Sequence, residues 1–240
     1  MDQGPRRSEV TPRSALRQHP GLARLARRAL DGARTIAELD AVGALAVQVL
    51  DEPLRLELLE CARAARYRPA RPLVGEAGRR VHQRMEVCDH FPAESIFRGF
   101  AVAFGALCRA RLAGIEGGPF EGRLHFNDLM LQRYSVGEIG ITPHRDRTGY
   151  RNLVCLFVLA GAGRFYVCDD RDGCGAREVS HAPGDVILMR APGYRGSSAR
   201  PFHFVRDITT DRYVFGLRQE RDPATRFRGG GRVAAQSGLR

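Results

Sequence analysis

The residue types best suited to chemistry cluster near the middle of the chain. The stretch LQRYSVGEIGITPHRD, residues 131–146, ends in His144-Arg145-Asp146. On an extended strand, residues two apart point to the same side. An imidazole and a carboxylate would converge there as two ligands of a divalent metal do. A third donor is available downstream, His203 in RPFHFV. Two histidines and one carboxylate, with positions left open, form the donor set of non-heme Fe(II) sites. His82, His90, His125 and His181 compete for the third place. His203 is preferred because Pro183-Gly-Asp-Val-Ile-Leu-Met189 supplies a turn and a strand before it, and Arg212 lies beyond it at hairpin-return spacing.

Arg212-Tyr-Val-Phe-Gly-Leu-Arg218 carries a second chemical signal. Alternation places Arg212, Val214, Gly216 and Arg218 on one face, and Tyr213, Phe215 and Leu217 on the other. The apolar face suits packing against helices. The other face carries two guanidinium groups inward, with a glycine making room between them. A buried arginine needs an anionic partner, and a dicarboxylate matches the guanidinium fork.

These residues need a scaffold. From Arg123 onward the periodicity is that of short extended runs, near 124–134, 152–159, 163–168, 177–181, 184–190, 202–206 and 211–219. Turn residues separate them, which predicts a sandwich or barrel. Asn152-Leu-Val-Cys-Leu-Phe-Val-Leu159 is apolar enough for a strand buried on both faces. Upstream, apolar residues at helical spacing predict helices over 21–30, from the capping-box pattern at Thr35 to about Leu50, from Pro53 through Ala62, and from about Phe91 to Ala113. The segment 68–78 reads as a loop, and 80–87 as a short strand. The expected organisation is a basic tail over 1–19, a helical support region over 20–122, a strand-rich core over 123–220 and a second basic tail over 221–240.

The formal charge of +11 invites a nucleic-acid reading. Residues 1–30 hold seven Arg against two acids, and residues 221–240 hold five against one, leaving only +2 for the 190 residues between. By this count the basicity sits in the tails, where solvated disorder is the expectation. The chain has no lysine, so its arginine count reflects compositional bias. No apolar run is long enough to span a membrane, and the N-terminus lacks a secretory signal. A cytoplasmic protein is expected. The six cysteines form no CxxC pair and read as reduced, partly buried thiols.

Taken together, residues from about Phe126 to Gln219 resemble the Fe(II)/2-oxoglutarate-dependent dioxygenase superfamily. The pieces are HxD at His144 and Asp146, the Pro183-Gly-Asp turn, distal His203 and the final arginine strand. Phe126-Asn127, Gln132-Arg133-Tyr134 and the ends of the Arg212–Gln219 strand are most similar to the AlkB-type branch. The resemblance implies an α+β fold: a double-stranded β-helix, or jelly roll, with N-terminal helices packed on one sheet. It implies Fe(2+) on His144, Asp146 and His203. It implies 2-oxoglutarate held by Tyr134 and Arg212 with Arg218 beside them, and Gln132 where the branch usually has Asn. The activity implied is hydroxylation of a C–H bond, with succinate and CO2 as co-products, on a small molecule or protein. Oxidative dealkylation of nucleic acid is the alternative, and a non-catalytic binding module is another. The His203–Arg212 spacing is short for the family, and the helices carry no nucleotide-lid pattern. Tyr150, Arg151, Arg190, Tyr194 and Arg195, in flanking loops, are the candidate substrate contacts.

Overall fold

A computed structural model describes residues 11, 14, 17–25, 30–112, 114, 115 and 118–221. The expected basic tails and part of the predicted first helix lie outside these residues. The described beginning of that helix, Pro20–Arg24, is a short 3-10 turn.

Three α-helices precede most of the sheet. Helix α1 spans Gly32–Val42 and starts one turn before the Thr35 pattern, because the Asp31 carboxylate accepts from the Arg34 N–H. It ends at Gly43, whose φ of 86° gives the left-handed C-cap that favours glycine. The helix expected to reach Leu50 therefore stops early. The chain continues as strand β1, Ala44–Gln48. The run ALAVQ has no strong helical or strand period, and pairing with a distant strand decides its state. Helix α2, Glu52–Arg63, is capped by Asp51 and carries Pro53 in its first turn, as expected. Helix α3 is Ile96–Leu112.

Four short strands lie between α2 and α3: β2 (Arg68–Pro69), β3 (Leu73–Val74), β4 (Val81–His82) and β5 (Glu86–Cys88). The remaining strands are β6 (Asp128–Tyr134), β7 (Ile141–His144), β8 (Tyr150–Ala160), β9 (Arg164–Cys168), β10 (Arg177–Glu178), β11 (Asp185–Arg190), β12 (Phe202–Arg206) and β13 (Arg212–Glu220). A seven-stranded antiparallel sheet runs β1-β11-β8-β13-β6-β5-β2, and a four-stranded sheet runs β10-β9-β12-β7. The segment expected to be helical support, with one short strand at 80–87 and a loop over 68–78, thus supplies both edges of the larger sheet. Its strands are too short to show a period of two in sequence.

Strand β8 shows how two cores arise from one strand. Leu153, Cys155, Phe157 and Leu159 pack with the helices, while Val154, Leu156 and Val158 pack with residues of the smaller sheet. Phe157 is fully buried, with Phe100 and Phe104 edge-on at 4.8 Å. Deleting such a ring costs about 3–5 kcal/mol. The layers are therefore helices, large sheet and small sheet, with the interior between the sheets holding the polar residues of interest. No helix among the described residues is long and apolar enough to cross a membrane. All six cysteines are free, with Cys88, Cys108, Cys155 and Cys168 buried.

Candidate metal and anion site

His144 ends β7 and His203 lies on β12, and the two are direct register partners in the small sheet. Antiparallel pairing places side chains of opposed residues on the same face. Their ring centroids are 4.3 Å apart. Asp146 lies two residues beyond β7, with its Oδ2 3.9 Å from His203 Nε2. One ligand atom from each residue lies within 4.8 Å of the others, so the three could hold a metal ion.

The rings are oriented from behind. His144 Nδ1 is 2.9 Å from the Thr142 carbonyl, and His203 Nδ1 is 3.3 Å from the Pro201 carbonyl. Each carbonyl accepts a hydrogen bond from Nδ1–H, which fixes the tautomer and leaves the Nε2 lone pair for a metal. Burial, reinforced by His203, pushes the His144 imidazole down to about 4. Burial also lowers His203. Burial alone would raise Asp146, but His203, Arg218, His144 and Arg200 together hold its carboxyl below the usual range. Two neutral imidazoles and one carboxylate are the protonation state that coordination requires. Arg200 Nη1 donates to the Asp146 carbonyl and braces the loop that carries it.

Strand β13 lies across the interior as its alternation predicts. Arg212 is the register partner of Tyr134, Val214 of Gln132, and Arg218 of Asp128. Phe215 and Leu217 belong to the helix-side core, and Val214 to the core between the sheets. Gly216 is the space for Arg218: a Cβ there would sit 2.6 Å from Arg218 Nη1.

Arg212 is 1% exposed, and Arg218 is also buried. Arg212 Nη1 donates to the Gly163 carbonyl at 2.7 Å and to His181 Nε2 at 2.9 Å. Burial pushes the Arg212 guanidinium down to about 10, against an opposing pull from Tyr134. Burial acts on Arg218 in the same direction, yet Tyr150, Asp146, Asp128 and Tyr134 outweigh it and raise the group. Among the described residues, Nε of Arg212 and both Nε and Nη1 of Arg218 are buried without a hydrogen-bond partner. Buried guanidinium donors left open are costly. An anion reaching this interior would satisfy them. The donor set and these open N–H groups fit a divalent metal and a carboxylate-bearing cosubstrate.

The other predicted residues divide. Tyr134 is buried beside the two arginines, which oppose the burial that pushes its phenol up to about 12. Gln132 is buried on the same face, with its Nε2 3.3 Å from Met85 Sδ. Tyr150 is buried, and Arg218 Cζ lies 5.5 Å from its ring centre. Arg151 and Arg190 line a cavity beside the triad. Tyr194 and Arg195 are not brought to it. Tyr194 packs in the helix-side core with its hydroxyl toward the Ile36 carbonyl, and Arg195 pairs with Asp40 at 3.0 Å.

Three contacts have no clear signal in the sequence. His181 competes there as a metal ligand, but in the fold it accepts from Arg212. Asp128 shares the face of Gln132 and Tyr134, which alternation could have revealed. Arg200 sits in an irregular Ser-Ala-Arg-Pro segment with no periodic signal.

No protein-family model matches the chain, and no curated protein matches it. Solved structures do. A Pseudomonas putida prolyl-4-hydroxylase is similar with a TM-score of 0.58 and 16% identity, over 79% of this chain and 98% of that one. A Trichoplax adhaerens prolyl hydroxylase, solved with a hypoxia inducible factor peptide fragment, gives 0.56 and 13%, over 79% and 88%. A Burkholderia pseudomallei oxidoreductase of the 2OG-Fe(II) oxygenase family gives 0.51 and 16%, over 79% and 91%. At such identities the likeness is one of fold: the chain has the fold found in 2OG-Fe(II) oxygenases.

Proposed function

We propose that the chain is an Fe(II)- and 2-oxoglutarate-dependent oxygenase built on a double-stranded β-helix. One observation carries this reading. The interior that holds His144, Asp146 and His203 also holds two buried guanidinium groups with open donors. A structural metal site would not require the arginines, and a plain β-sandwich would not bury them.

Iron and a 2-oxo acid, when bound, supply oxidation of a substrate C–H bond by dioxygen, with one oxygen atom leaving in succinate, the other entering the substrate, and CO2 released. The chain's own part is to bind, orient and exclude water. His144, Asp146 and His203 would hold the metal. Arg212 and Tyr134 take a cosubstrate carboxylate, and the Gly163 and His181 acceptors fix the guanidinium before it arrives. Arg218, wedged against Gly216, keeps Asp146 ionised and offers its open donors to the same chamber. The apolar shell of Val154, Val158, Phe165 and Val214 keeps water out and strengthens each charge pair.

The test is anaerobic addition of Fe(II) and 2-oxoglutarate to the full chain. A weak visible charge-transfer band is expected, with succinate release on admitting air. His144→Ala should remove both. A protein that binds Fe(II) but shows no band, and no affinity for 2-oxoglutarate, would be a metal-binding module instead.

A further inference from the structure

Counted along the chain, the core is nearly neutral. Counted in space, it is not. A cavity of about 840 Å³ adjoins the metal triad and is lined by Arg145, Arg151, Arg177, Arg190, Arg200 and Arg221, against a single carboxylate, Asp169. Its connection to the triad is direct. Val167, which lines it, is the register partner of His203, and lining Arg200 donates to the Asp146 carbonyl.

The arginines are held in ways that leave their charge available. Arg145 stacks on the Phe202 ring at 4.1 Å, which orients its plane without neutralising it. Arg190 donates to the Asp40 carbonyl at 3.1 Å, a neutral acceptor, and its buried Nε has no partner among the described residues. Arg177 is the group that faces Asp169, at 3.7 Å. Arg151 makes no ion pair among the described residues. Burial, followed by repulsion from Arg145, lowers Arg200. Five guanidinium groups line this cavity beyond the one that Asp169 faces, and an anion among them would offset their like charge.

We propose that this cavity binds the primary substrate, and that the substrate is a phosphorylated small molecule held by its phosphate at Arg145, Arg151 and Arg200. The proposal rests on the oxygenase reading above, and places the C–H bond to be oxidised on the triad side of the phosphate. Phosphate is favoured over carboxylate because several guanidinium forks converge, and a phosphate has enough oxygens to accept from more than one. A small molecule is favoured over a polymer by volume: ligand cavities run to roughly 300–1,000 Å³, and this one lies within that range.

The experiment uses the full chain loaded with Mn(II) in place of iron. Calorimetric titrations compare pyrophosphate, ribose 5-phosphate, adenosine monophosphate, a phosphoserine peptide and a short oligonucleotide, with 2-oxoglutarate titrated separately. A small organic phosphate is expected to bind. Arg151→Gln and Arg145→Gln are each expected to weaken it by about ten- to a hundredfold, the range for a lost charge-assisted bond. Arg63→Gln with Arg66→Gln, both exposed and outside the cavity lining, is the control for unspecific charge and should change little. Thermal midpoints check that the variants fold. Equal loss in that control variant, binding of the oligonucleotide or peptide alone, or no phosphate binding at all would each overturn the proposal. Absence of 2-oxoglutarate binding would instead count against the oxygenase reading, so the two failures are separable.

Discussion

Arg212→Met separates a cosubstrate anchor from a structural arginine, because the two roles predict opposite changes. The side chain is 1% exposed and makes neutral contacts at the Gly163 carbonyl and His181 Nε2. Methionine fills much of the same volume and carries no charge. Removing the guanidinium leaves the Gly163 carbonyl unsatisfied, at about 1–3 kcal/mol; His181 Nε2 loses its donor as well, but that residue is only half-buried and water can take the place. It also removes a buried charge that no carboxylate pairs among the described residues, and replacing such groups by apolar ones is often neutral or stabilising by about 1–4 kcal/mol. The two terms oppose, so stability of the ligand-free protein should stay within about 1 kcal/mol, a midpoint shift of about 2–4 °C for a domain this size. Affinity for 2-oxoglutarate behaves differently. Truncating one partner of a buried charge pair costs about 2–5 kcal/mol, which is about 30- to 4,000-fold in Kd. The assay is anaerobic titration of the Mn(II)-loaded protein with 2-oxoglutarate, beside a melting curve without it. A variant that melts about 10 °C lower, well beyond the shift expected for a domain this size, yet binds 2-oxoglutarate normally would refute the assignment. Arg212→Lys keeps the charge but loses the fork, and its affinity should fall between the two.

Other positions give further tests. Gly216→Ala would drive a methyl group to 2.6 Å from Arg218 Nη1; overpacking of this kind costs about 1–3 kcal/mol, readable as a lower denaturation midpoint. Gly161→Ala should be worse, since φ there is 83° and the added Cβ would lie 2.2 Å from the Asp211 carbonyl oxygen; loss of soluble folded protein is the expected readout. On acidification, the unfolded His144 imidazole takes a proton near 6.5 that the folded one refuses until about 4. The unfolded state therefore binds more protons in that window, and stability should fall as pH drops through it. Melting curves of metal-free protein at about pH 7 and about pH 5, on either side of the unfolded imidazole's titration, measure the slope, and His144→Asn should flatten it.

Legibility from sequence tracked the range of each signal. Strand β13 could be read residue by residue because a period of two, sustained from Arg212 to Arg218, leaves little freedom. The triad was readable in part: His144 and Asp146 share a strand end, and His203 was selected from several histidines by its flanking turn and strand. The helix forecast through Leu50 failed because Gly43 ends it and Ala44–Gln48 pairs instead with the distant strand Asp185–Arg190. The arginine cavity was invisible for a related reason. Its arginines come from separate strands and loops, so a charge count along the chain averages them against acids on other surfaces. The contact of His181 with Arg212 has no sequence signal, since only the folded path brings the two together.

The pairing of β1 with β11 also bears on synthesis. Ala44 meets Met189 and Gln48 meets Asp185, so the strand made first waits for one made near the end. At about 5–20 residues per second, translation leaves β1 without its partner for roughly 7–30 s. During that interval the apolar faces of α1 and α2 have no sheet to cover. The nascent chain thus carries its own uncovered half-core for most of its synthesis, and holdase chaperones should engage it there, before Asp185 leaves the ribosome.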